Sequence, residues 1–160
     1  MKNIYSVFTI FIISVLFLSC NKDDDNVSIN QENLIGKWKI TNYQDSEISN
    51  LEELIQYEPC GGQDVFDFST NGILYFSYAY GDDCSRTGTN NLKYNLSGNV
   101  LTTIEEDGGY NPNTDYVIKY QVITITDSTL ILKAVYVDDG FGDNPDLSNE
   151  EMFTVSFKRI

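Results

Sequence analysis

From Leu34 onward the signals are for strands, and several segments alternate apolar and polar positions with period two, the spacing of half-buried strands. Gly36-Lys37-Trp38-Lys39-Ile40-Thr41 begins the series, and Val65-Phe66-Asp67-Phe68 repeats it. Ser69-Thr70-Asn71-Gly72 then supplies turn chemistry before Ile73-Leu74-Tyr75-Phe76, so this stretch predicts a hairpin. Leu92-Lys93-Tyr94-Asn95-Leu96 and Val100 to Ile104 flank a Ser97-Gly98 turn. Tyr116 to Ile125 and Leu130 to Val137 flank Asp127-Ser128, and Met152 to Lys158 ends the series with Phe153, Val155 and Phe157 on one face. About eight strands with mostly short connections predict an all-β, antiparallel meander, sandwich or barrel. One stretch departs from this period. Ile48, Leu51, Leu54 and Ile55 recur at helical spacing, and Ser49 with Glu52 has the spacing of a capping box. The pattern predicts one short helix after the first strand, either a lid over one end of a barrel or simple packing.

The start of the chain follows a different pattern. Lys2 precedes a run from Ile4 to Leu18 without a charged residue. A spanning helix needs about 20 apolar residues, so this run fits the core of a secretory signal better. Leu16-Phe17-Leu18-Ser19-Cys20 resembles the lipobox of bacterial lipoproteins. The resemblance implies cleavage before Cys20 and a diacylglycerol thioether on its sulfur. Two or more acyl chains give stable anchoring, at ~0.8 kcal/mol per buried CH₂. Asn21-Lys22-Asp23-Asp24-Asp25 is similar to the acidic sorting signal that follows the lipidated cysteine in Bacteroidetes. It implies the outer face of the outer membrane. Residues 1–19 thus read as a signal peptide, 20–33 as a lipidated cysteine with a flexible acidic tether, and 34–160 as one domain.

Charge narrows the partners. The chain holds 10 Lys and Arg against 24 Asp and Glu, and removing Lys2 with the signal leaves 9 − 24 = −15. Phosphate recognition needs clustered cations, so nucleic acid is excluded as a partner. If lipid occupies Cys20, then Cys60 and Cys84 remain, and an even pair in an oxidising compartment reads as a disulfide. Two free thiols or half of a metal site is the other reading, but no His is present to complete such a site.

The domain also resembles a known family. Leu34-Ile35-Gly36-Lys37-Trp38 is similar to the opening of lipocalin-like domains, where a Gly-x-Trp triplet starts the first strand and the Trp plugs the closed end of a barrel. An intradomain cysteine pair, Phe66-x-Phe68 before an Asn-Gly turn, and Leu96-Ser97-Gly98-Asn99 are shared with small flavobacterial lipoproteins over residues 34–160. The resemblance implies an up-and-down eight-stranded barrel of calycin type. An immunoglobulin-type sandwich is the alternative, but it needs longer crossovers. The family also carries a basic residue near the last strand that stacks on the Trp. Arg159 shares parity with Phe157 and is assigned that place, a cation–π contact of roughly 0.5–2 kcal/mol.

Candidate chemistry is sparse. Without His, a Gly-x-Ser-x-Gly elbow or a phosphate loop, the sequence predicts neither an enzyme nor a cofactor. Asp138, Asp139 and Asp143 offer calcium-type oxygens, but not at EF-hand spacing, so no metal is predicted. The aromatic residues are more suggestive. Phe66, Phe68, Tyr75, Tyr94, Tyr116, Tyr120 and Tyr136 are the candidate lining of a site for a small hydrophobic or amphiphilic molecule. An eight-stranded barrel either holds one ligand or is filled by side chains. The second function class is therefore an accessory module with a solid barrel, whose loops touch a surface protein or glycan.

Overall fold

The computed structural model describes residues 29–109, 114–139 and 152–160. A short helix α1 (Gln31–Leu34) leads into β1 (Gly36–Gln44). Helix α2 (Leu51–Tyr57) and a 3₁₀ turn (Gly61–Gln63) precede β2 (Val65–Phe68) and β3 (Ile73–Tyr80). Then come β4 (Arg86–Ser97), β5 (Val100–Glu105), β6 (Tyr116–Ile125), β7 (Thr129–Asp138) and β8 (Thr154–Arg159). Each strand pairs antiparallel with the next, and β8 returns to β1, so the sheet closes as an up-and-down barrel of eight strands. A sandwich of two sheets is thereby set aside. Closure leaves no unpaired sheet edge.

The two ends of the barrel differ in their connections. At one end the links are tight: residues 69–72, 98–99 and 126–128. Gly72 and Gly98 turn there with φ of +79° and +61°, which is the reason for glycine at those corners. At the other end lie the segment with α2 and the β3–β4 connection, tied together by the Cys60–Cys84 disulfide. The largest fully buried side chains include Trp38, Phe68, Leu34, Leu74, Leu101, Leu130 and Leu132. By register they gather at the short-turn end, which is therefore the packed core.

Three details differ from the sequence reading. Residues 31–33, assigned to the tether, form α1 because Asn30 and Asn33 cap each other reciprocally (3.1 and 3.3 Å) and Leu34 is fully buried. The N-cap of α2 is Asn50 rather than Ser49. Its side chain accepts from the Glu53 amide at 3.0 Å, and Glu53 in turn accepts from the amide and hydroxyl of Ser49. Finally, β4 starts at Arg86, well before the alternating Leu92–Leu96 pattern. Its polar first half lies at the long-loop end, where Gly88 faces the Tyr78 ring. A Cβ there would stand 2.5 Å from Tyr78 Cζ, so only glycine allows the ring to lie on the strand.

Candidate functional site

The short-turn end is a plug. Trp38 is fully buried, and its indole Nε1 donates to the Leu34 carbonyl at 2.7 Å. The Arg159 guanidinium lies 4.2 Å above the ring. The same group donates to the carbonyls of Ile35 (2.6 Å) and Asn33 (2.7 Å), so it fastens α1 across the barrel end. Gly36 has φ of +119°, and a Cβ on it would meet Arg159 Nη1 at 2.9 Å. The Gly-x-Trp triplet and the arginine thus form one interlocked unit. Phe68 and Tyr94 belong to the same end. Their rings meet edge-on at 5.0 Å, and the Tyr94 hydroxyl donates to the Ser69 carbonyl at 2.6 Å.

Toward the long-loop end the interior is not filled. A cavity of about 400 Å³ lies between β2, β3, β4, β5 and β6. Its wall includes Phe66, Phe76, Leu92, Ile118, Tyr120 and Phe153. A second lobe of about 220 Å³ shares Phe66, Phe76, Tyr120 and Phe153, and is closed on one side by Leu54 of α2. The helix therefore contributes an apolar residue to the wall of the site. Phe66 is the hub of this wall, with Phe157 at 4.8 Å and Phe76 at 5.1 Å. Tyr43 stacks on Phe153 at 5.6 Å, and Tyr120 meets the same ring edge-on at 6.1 Å. Tyr78 and Tyr80 continue the row of rings from Phe76 into a surface groove of about 490 Å³ beside the disulfide.

Polar groups converge where the cavity meets the loops. Glu58, at the end of α2, borders both lobes and the groove. Asp64 borders the second lobe and the groove. Burial pushes its carboxyl up to about 6, the negative charge of Glu58 adds to this, and a hydrogen bond from the Ala79 amide opposes it. Glu105 lines the first lobe and accepts from the Asn90 amide group at 2.9 Å. Burial also raises the phenols of Tyr43, Tyr116 and Tyr120, which therefore stay neutral. Tyr120 is buried and lines both lobes.

Of the seven aromatics expected to line a site, the structure brings three to the cavity: Phe66, Tyr116 and Tyr120. Phe68 and Tyr94 fill the plug instead. Tyr75 lies on the outer face, because Leu74 and Phe76 take the inward positions of β3. Tyr136 is also outside. A bulge between Ala134 and Tyr136 reverses the parity of β7, and Lys119 sits 4.2 Å over the Tyr136 ring on that outer face. Among the described residues no group of three or more His, Cys, Asp or Glu could hold a metal. Asp138 and Asp139 close β7 and its exit, and Asp143 and Cys20 lie outside the described residues. Sequence reasoning missed Tyr43, Glu58, Asp64, Asn90, Thr103 and Phe153 as lining. It also missed Phe76, although the hairpin register through Asn71-Gly72 sets Phe66 opposite Phe76.

Comparison with known proteins agrees with this architecture. The chain is similar to the crystal structure of a lipocalin-like protein from Bacteroides uniformis, at 16% identity and a TM-score of 0.50, over 80% of this chain and 99% of that one. No curated protein sequence matches. The model of the lipocalin-like domain matches residues 34–132. That span carries the Gly-x-Trp plug, both cysteines and most of the cavity wall, and the protein belongs to the lipocalin-like domain family.

Proposed function

We propose that the protein is a lipid-anchored outer-membrane binding protein, not a catalyst, that holds a small hydrophobic or amphiphilic molecule in the upper half of its barrel. The observation that carries the reading is the aromatic-walled cavity of about 400 Å³, with a few polar groups gathered at one end. Sites for small organic molecules are concave, mainly apolar and oriented by a few polar groups. Anchoring through Cys20 rests on the lipobox resemblance and the acidic residues that follow it. It suits the fold, because the chain enters the barrel through α1 at the plugged end and the cavity faces away from that entry.

The test is displacement of a neutral fluorescent hydrophobic probe from residues 29–160. The variant Phe76→Ala and the inward-filling variant Thr103→Leu are compared with the unsubstituted chain. Binding in the micromolar range that Thr103→Leu weakens at least tenfold supports the reading. A barrel that takes up no probe favours the alternative, a module that contacts a protein or glycan through its loops. Mass spectrometry of Cys20, and protease accessibility on intact cells, check the anchor and its outward face separately.

A further inference from the structure

The charge around the cavity is one-sided. Glu58, Asp64 and Glu105 border it, and among the described residues neither the two lobes nor the groove has a Lys or Arg in its lining. Lys119 covers the Tyr136 ring outside the barrel and Arg159 is committed to the plug, while Arg86 is exposed at the outer rim of the groove, beside Gly81. The aromatic faces of Tyr43, Phe76, Tyr116 and Tyr120 add negative quadrupole to the same region. Tyr120, itself buried, lines both lobes, so its hydroxyl oxygen is an acceptor at the cavity wall.

An anionic head group entering here loses its water, meets three carboxylates and gains no cation from the lining. A cationic head group meets carboxylates, ring faces and an acceptor oxygen. We propose that the barrel selects cationic amphiphiles: an apolar chain packed between Phe66, Phe76 and Phe153, and an ammonium group held near Glu58, Asp64, Glu105 and the Tyr120 hydroxyl. This rests on the proposed binding function and names the ligand class of the same cavity.

The test uses three probes of equal chain length: decylammonium, decanol and decanoate, all at pH 7.5 and about 0.15 M salt, so that long-range attraction to the acidic chain is screened. Affinities come from displacement of the neutral dye. Decylammonium should bind about tenfold or more tighter than the other two. The paired substitution Glu58→Gln with Asp64→Asn should abolish most of that preference. The pair Glu32→Gln with Asp127→Asn, at the plugged end and equal in net charge, should leave it intact. Tyr120→Phe should weaken decylammonium more than decanol. Decanol or decanoate binding as well as decylammonium would overturn the selectivity while leaving the cavity reading standing. So would an equal loss from the remote pair. Failure of all three probes to bind would overturn both.

Discussion

At the plugged end, Trp38, Arg159, Gly36 and α1 hold one another through a ring contact and three short hydrogen bonds, and the surrounding leucines are fully buried. At the other end, equally large aromatic side chains from the same strands border empty space and carboxylates. Residues a few positions apart on one strand thus serve opposite purposes. Phe68 is sealed against Tyr94, while Phe66, two residues earlier, faces the cavity. The difference shows that strand pattern alone does not decide whether an inward aromatic stabilises or binds. That depends on what closes the barrel above and below it.

The comparison is tested most severely by truncating one aromatic at each end. Trp38→Ala removes a fully buried ring with its hydrogen bond and its cation partner, and should cost about 3–5 kcal/mol in urea unfolding. Phe76→Ala removes a ring that already borders a cavity, so less packing is lost, and the cost should be below about half of that. Equal costs would mean that the long-loop end is packed as firmly as the plug.

The disulfide probes the same contrast more gently. Cys60 and Cys84 are 24 residues apart, and both lie in connections at the long-loop end. Replacing both by Ser should lower stability by roughly 3 kcal/mol on the chain-entropy account. The loss should be uneven. Amide exchange should quicken in α2, the 3₁₀ turn and the β3–β4 connection, while amides beside Trp38 change only through global unfolding. Uniform acceleration would show that the barrel opens as a single unit.

Much of this was legible in the sequence. Alternation in some segments, β-branched and aromatic content in others and the turn residues between them together placed all eight strands, since each buries one face on a common interior. The plug was readable through the family resemblance, because Gly36-x-Trp38 opens the domain as in lipocalin-like chains and Arg159 stands where the stacking basic residue is expected. The cavity lining was read less well, for two physical reasons. Parity fixes which residues share a face, but not which face points inward, and Tyr75 and Phe76 are equally aromatic. A single bulge then turned Tyr136 outward, which no local pattern marks. Glu58 and Asp64 lie in connections, where a carboxylate is unremarkable until the fold brings the chain over the cavity.

The smallest expected effect concerns Asp64, and its sign separates binding from stability. Most carboxylates gain partners on folding and favour the native state above their unfolded pKa. Asp64 does the reverse, because its pKa rises to about 6 from an ordinary value near 4. Between those values the native state binds more protons than the unfolded one, so this group makes stability fall as pH rises from about 4 to 6. The side chain is only about half buried, so solvent screening reduces the effect to roughly 1–2 kcal/mol. Asp64→Asn keeps an oxygen for the Ala79 amide and removes the charge. It should raise stability by about 1 kcal/mol at pH 7.5 and change it little at pH 4.5, read as the difference between two urea curves. The same substitution should weaken decylammonium binding, and the unsubstituted protein should lose affinity for that probe as pH drops through about 6. A variant that is more stable at neutral pH and binds the cation less well would identify Asp64 as a charge kept at the cavity for its ligand, against the preference of the fold. A variant less stable at both pH values would instead make Asp64 a structural partner of Ala79, and the long-loop end would then resemble the plug more closely than its cavity suggests.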